Sequence, residues 1–225
     1  MRDHLKDVDY FITFIDEELS RIDRFALQLE RGEIAPERII PVKAVMHNLR
    51  LGILTAKYSK GDDLSLLEQE YLSILDEWEE VWVPDYYNKN LKMISLAVLF
   101  KVDPIFGAKI RQMLEKSGIK DWLLGFLLNS LDNNSDVLSK DMLFPKSFHS
   151  LQELVFGEGG IELLDRYLSK EWYNKDCGCY RAHKSRCNVY YGYWSFDAGA
   201  IAKILGLHDD SLKAKRYYPY DLVHY

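Results

Sequence analysis

Long apolar runs are missing from this 225-residue chain. The longest, residues 91–100, is interrupted by Lys92 and Ser95, whereas a membrane span needs about 20 apolar residues. No transmembrane helix is expected. The opening Met1-Arg2-Asp3-His4-Leu5-Lys6-Asp7 has mixed charge and no apolar core behind it, so it does not read as a signal peptide. Cysteine is scarce and odd in number, three in all, which excludes a disulfide framework and points to the cytoplasm. A surplus of positive charge is missing too. Lys and Arg total 29 against 35 Asp and Glu, a formal charge of −6. Phosphate contacts need clustered cations, so nucleic acid is not an expected partner.

Catalytic signatures are also lacking. There is no Gly-x-Ser-x-Gly, no phosphate-binding Gly-x4-Gly-Lys-Ser/Thr loop and no His-Glu-x-x-His. Pro84-Asp85 could open a metal-dependent nuclease core, but the second acid and the lysine that such a core needs do not follow. The six histidines, at 4, 47, 149, 183, 208 and 224, are scattered. Gly157-Glu158-Gly159-Gly160 reads as a turn because no strand precedes it. No catalytic residue and no cofactor is implied.

What the chain does have is helical period. Val8, Phe11, Ile12, Ile15, Leu19, Ile22, Phe25, Ala26 and Leu29 recur at three and four, which is one apolar stripe. Gly32 is a plausible stop, and Pro36 suits the first turn of a second helix. That helix carries Ile39, Val42, Val45, Met46, Leu49, Ile53 and Leu54 and ends near Gly61. A third runs from Asp62 or Asp63 to about Val83, where Pro84 stops it. Shorter apolar segments follow at 91–100, 104–114 and 122–131. Asp132-Asn133-Asn134-Ser135 is the clearest polar break. A last strong helix is expected over 193–205, closed by Gly206, with an extended end at Tyr217-Tyr218-Pro219-Tyr220. No period-2 strand and no repeat is evident. The expected fold is all-α, a multi-helix array with an N-terminal helical bundle at 1–116 packed on a C-terminal helical region at 117–225.

The charge is uneven. Asp62, Asp63, Glu68, Glu70, Asp76, Glu77, Glu79, Glu80 and Asp85 follow one another with no Lys or Arg between Gly61 and Asn88. Acids at i and i+4, such as Asp76 and Glu80, repel by a few tenths of a kcal/mol. Two readings compete: a solvated face, or a surface for a basic partner. Asp62 and Asp63 also suit the dipole at the start of the third helix.

Cys177, Cys179, His183 and Cys187 offer four soft ligands in one loop. Structural zinc sites pair cysteines two to four residues apart, so Cys-x-Cys is off-pattern and free thiols are the stronger reading. Arg181, Lys184 and Arg186 make the loop basic. The aromatic run Tyr190-Tyr191-Gly192-Tyr193-Trp194-Ser195-Phe196 reads most simply as core. Trp78, Trp82, Tyr193, Trp194 and Phe196 are the expected core anchors.

The C-terminal stretch from Tyr190 to Leu207 (Tyr190-Tyr191-Gly192-Tyr193-Trp194-Ser195-Phe196-Asp197 and the helix after it) resembles the signature helix of the PoNi-type immunity proteins. The likeness continues through Asp209-Asp210-Ser211-Leu212-Lys213 and Tyr217-Tyr218-Pro219-Tyr220, with His183-Lys184 upstream. Toward the N-terminus, Arg2-Asp3, then Tyr58-Ser59 with Gly61, and the helix end Asp76-Glu77-Trp78-Glu79-Glu80 are similar to that family's N-terminal region. Asp197 stands where the pattern would have Glu. Cys177 and Cys179 are no part of it.

The resemblance implies a helical, non-catalytic, cytoplasmic protein that binds and neutralises a polymorphic nuclease toxin, often one delivered by a secretion system in competition between bacteria. A DNase is the expected target. Charge then nominates Asp62, Asp63, Glu70, Asp76, Glu77, Glu79 and Glu80 as the partner-binding set. Nucleic acid and membrane are not expected partners, and a dimer is left open. The alternatives are a zinc-binding or metal-dependent protein centred on the cysteine loop and a homo-oligomeric helical scaffold.

Overall fold

The computed structural model describes residues 1–134, 139–157 and 159–225. Among these residues the regular elements are all helical and no strand occurs. The turn positions Ser135 and Glu158 lie outside the described residues. The chain forms two compact units.

The first unit comprises residues 1–83 and 181–192. Helix α1 spans Val8–Glu30 and starts where the Asp7 carboxylate accepts the N–H of Tyr10 at 2.8 Å, a side-chain N-cap. It buries Phe11, Phe14, Ile15, Glu18 and Ile22 and packs on α2, Ile39–Lys60. Gly61 ends α2 with φ +105°, a conformation that favours glycine. A Cβ there would also meet the Met1 nitrogen at 2.9 Å. Helix α3, Leu64–Glu77, is capped by Asp63 through the Ser65 N–H at 2.8 Å.

The residues that carried the N-terminal resemblance come together in this unit. The N–H groups of Arg2 and Asp3 both donate to the Ser59 carbonyl at 3.0 Å. The Arg2 guanidinium donates to the carbonyls of Tyr58 and Asp62 and lies over the Tyr58 ring, 4.7 Å from its centroid. The Tyr190 hydroxyl donates to buried Asp3 at 2.5 Å, and the Ser59 hydroxyl donates to the Tyr191 carbonyl at 2.7 Å. Residues 181–192, remote in sequence, are thereby fastened to α1 and α2.

The second unit comprises residues 84–180 and 193–225. It holds α4 (Tyr87–Leu99), α5 (Pro104–Lys116), α6 (Trp122–Leu131), α7 (His149–Phe156), α8 (Ile161–Lys170), α9 (Phe196–Leu205) and the short α10 (Tyr220–Val223). Asp121 caps α6 through the N–H groups of Leu123 and Leu124 and also accepts the Tyr87 hydroxyl at 2.9 Å. Lys203 of α9 donates to the carbonyls of Leu99 at 2.7 Å and Leu222 at 3.2 Å, fixing the ends of α4 and α10. The Tyr218 hydroxyl donates to buried Asp209 at 2.5 Å. A Cβ at Gly199 would stand 2.6 Å from Pro219 Cγ, so only glycine lets the terminal segment lie on α9.

Four expectations differ in detail. Helix α3 ends at Glu77, not near Val83. The compact units divide after Val83 and not at residues 116/117, because α4 goes with the C-terminal helices. It is buried on nearly every side from Leu91 to Phe100 and packs on α9 and α6; a helix apolar all round needs cover all round. The last large helix begins at Phe196, not Tyr193. Residues 190–195 are non-helical, with Tyr190, Tyr193 and Ser195 buried and Tyr191 and Trp194 half-buried. Finally, residues 217–220 do not stay extended: Tyr217 turns the chain with φ +73° and Tyr220 starts α10.

Trp78, Tyr193 and Phe196 are 1%, 1% and 3% exposed. Trp82 and Trp194 are only half-buried. Trp82 sets its ring edge-on against Trp78, with centroids 5.3 Å apart. Trp78→Ala should therefore cost about 3–5 kcal/mol, and Trp194→Ala distinctly less. Chemical denaturation of both variants checks the order.

Asp197, at the start of α9, is 3% exposed and accepts the Ser195 hydroxyl at 2.7 Å. Burial raises its pKa to about 6, against the pull of Ser195 in the other direction. With the folded value above the unfolded one, its favourable contribution is complete below about pH 4 and is lost as pH rises through about 6. Asp197→Asn, a neutral isostere, should remove this dependence. Melting curves of wild type and variant should converge below about pH 4, and the variant should gain by up to about 3 kcal/mol at pH 8. A constant gap across that range would contradict the assignment.

Candidate partner-binding surface

The acidic sequence between Gly61 and Asn88 folds into α3 and the turn after it. Its inner side is apolar, with Leu67, Tyr71, Ile74 and Leu75 buried and Trp78 following them. The carboxylates are left outside. Asp63, Asp76, Glu77, Glu79 and Glu80 are exposed, and Asp62 and Glu70 are half-buried.

No cation interrupts these acids along the chain, yet α2 supplies them across space. Lys43 pairs with Glu80 at 2.5 Å, Lys57 with Glu70 at 2.5 Å and Lys60 with Asp62 at 2.5 Å. Arg50 pairs with Glu77. Lys43, Arg50 and Lys57 recur at seven, so they share one side of α2. Because α3 runs back antiparallel after Gly61, they meet Glu80, Glu77 and Glu70 in reverse order. Surface pairs of this kind are worth about 0–1 kcal/mol each. They reduce the local charge without fixing the side chains firmly.

The nominated set thus divides. Asp62, Glu70, Glu77 and Glu80 are held in ion pairs. Asp63 is engaged as the helix cap, where the Ser65 hydroxyl and N–H hold its carboxyl below the usual range. Asp76 and Glu79 form no ion pair among the described residues. Sequence reading missed the α2 cations, although the seven-residue spacing of Lys43, Arg50 and Lys57 was there to be matched against the acids.

The cysteine loop is split. Cys177 and Cys179 belong to the second unit, His183 and Cys187 to the first. The Cys177 thiol donates to the Tyr173 carbonyl at 3.3 Å. A hydrogen bond from Cys179 pulls Cys177 down to about 7, and the same contact pushes Cys179 up. His183 lies edge-on to Tyr190. Among the described residues, no three His, Cys, Asp or Glu side chains are gathered as a metal ion requires. No helix among them is long and apolar enough to cross a membrane.

Two family models match the sequence. One, for the N-terminal region of PoNe immunity proteins (PoNi), covers residues 2–106. The other, for the C-terminal region of the same proteins, covers residues 119–222. No curated protein matches. The crystal structure of protein PA2201 from Pseudomonas aeruginosa is similar at a TM-score of 0.75 and 18% identity, over 100% of this chain and 89% of that one. At that identity the likeness shows the all-α fold alone. With both regions matched in order from residue 2 to residue 222, the chain belongs to the PoNi family of PoNe immunity proteins.

Proposed function

We propose that this protein protects a bacterium by binding a cognate nuclease toxin, a DNase, and holding it inactive as a non-catalytic inhibitor. The observation that carries this reading is the match of both PoNi family models across nearly the whole chain. The charge supports it. A nuclease must present cations to hold phosphate, and an acidic inhibitor uses the same cations for steering and partner choice. A DNase acts where the chromosome is, so we place the complex in the cytoplasm. Delivery of the toxin by a secretion system belongs to the same reading.

The contact is proposed on the outer side of α3 and its C-terminal turn. Asp76 and Glu79 are available there without opening any ion pair. Glu77 and Glu80 are exposed and exchange their α2 partners at small cost. Glu70 lies on the same helix, Asp62 and Asp63 just before its start, and all three extend the acidic field.

Co-expression with the nuclease domain of the cognate toxin should restore growth and yield a stoichiometric complex on co-purification. Failure of both, from a folded protein, would overturn the immunity reading. Reversing Asp76, Glu77, Glu79 and Glu80 to Lys should lower the association rate by about tenfold or more at low salt, and by less as ionic strength rises. Stopped-flow mixing at several salt concentrations measures this. An unchanged rate at low salt would remove α3 from the contact.

A further inference from the structure

The first helix carries a second surface that the fold leaves unused. Val8, Ile12, Ile15, Leu19, Ile22, Ala26 and Leu29 alternate in spacings of four and three, the spacing of a helix-pairing seam. Only part of that seam is turned inward. Ile15 and Ile22 are buried with Phe11 and Phe14, whereas Val8, Ile12 and Leu19 are 41%, 44% and 44% exposed.

Immediately beside the exposed part runs a row of carboxylates. Asp9, Asp16, Asp23 and Glu30 recur at seven, so they stack along one line of the helix. All four are exposed, and none of their carboxylates enters an ion pair or hydrogen bond among the described residues. The nearest arginine on the other border, Arg21, is taken by Glu18 at 2.8 Å. Arg24 lies beyond the row and pairs with none of it. This is the opposite of α3, where four acids are answered by cations of α2.

Asp9 suits the first turn of α1, but Asp16, Asp23 and Glu30 gain nothing from the helix start, and Val8, Ile12 and Leu19 still leave about two-fifths of their surface in water. One partner satisfies both: a surface with an apolar ridge flanked by Lys or Arg. A second copy of this chain does not fit. Antiparallel pairing through the seam would set carboxylate row against carboxylate row, and parallel pairing would offer the row no cation.

We propose that the outer face of α1 is a second docking surface for the same basic partner, in addition to the one proposed on α3, with exposed Val8, Ile12 and Leu19 as its apolar centre and Asp9, Asp16, Asp23 and Glu30 as its charged rim. The proposal rests on the immunity reading, and the occupant it commits to is the cation-rich nuclease domain of the toxin. The rim sets encounter and orientation. The apolar centre holds the complex once water is displaced.

The test is titration calorimetry of the 225-residue protein with the nuclease domain of the cognate toxin, at several salt concentrations. Asp16→Lys/Asp23→Lys should weaken binding about tenfold or more at low salt and flatten the salt dependence. Ile12→Ser/Leu19→Ser should weaken it by a similar factor at every salt concentration, with the salt dependence unchanged. Both pairs are exposed, and circular dichroism and melting confirm that each variant folds. Asp76→Lys/Glu79→Lys, on α3, tests that surface separately. If wild type binds and both α1 variants bind equally well, or only the α3 variant weakens, the α1 face is not a dock and the immunity reading stands. If wild type does not bind, the immunity reading fails and this one with it. Light scattering that finds a dimer lost in Ile12→Ser/Leu19→Ser would give the face to a second copy and overturn the proposal.

Discussion

The Ser59 carbonyl is the point on which the first unit depends. It stands in the last turn of α2, where a helix has carbonyls to spare, and it accepts the N–H groups of both Arg2 and Asp3. Arg2 then closes over Tyr58 and caps the carbonyl of Asp62, and Asp3 receives the Tyr190 hydroxyl. One helix end thus fixes the N-terminal residues, the turn into α3 and a segment 132 residues further along the chain. Buried aspartates organise the second unit in the same manner. Asp121 collects two helix N–H groups and a tyrosine hydroxyl, Asp209 takes Tyr218, and Asp197 takes Ser195.

This arrangement explains what the family resemblance was reading. Arg2, Asp3, Tyr58, Ser59 and Gly61 in one unit, and Tyr193, Asp197, Gly199, Asp209, Tyr218 and Pro219 in the other, are buried or tied to neighbouring backbone. They are fold-holding residues. Such positions identify the scaffold. The helix end Asp76-Glu77-Trp78-Glu79-Glu80 is different, since only Trp78 is buried there and its four acids are exposed.

Much of the fold was legible in the chain. The stripes of α1 and α2, their stops at Gly32 and Gly61, and the apolar segments that became α4, α5 and α6 follow from period and punctuation alone. What was not legible depended on neighbours. Residues 190–195 are aromatic enough to pass for the first turns of a helix, but Tyr190 and Tyr193 turn inward from a non-helical segment while Trp194 is left half-buried. The stripe of α1 gave the helix correctly and its inward side only in part, since period does not say how much of a seam a single neighbour can cover. The acids of α3 seemed unneutralised because their cations sit on another helix, up to 37 residues away. Sequence adjacency is a poor guide to charge balance when antiparallel helices lie side by side.

The ladder between α2 and α3 has a consequence for recognition. A cation that approaches Glu70, Glu77 or Glu80 finds Lys57, Arg50 or Lys43 already in place. Engagement there is an exchange: one ion pair forms, another opens, and a protein side chain returns to water. The number of pairs does not change, so the net gain in ion-pair energy is small. Because each pair is worth only about 0–1 kcal/mol, the ladder lowers the net charge that α3 shows to solvent and leaves its carboxylates easy to re-pair.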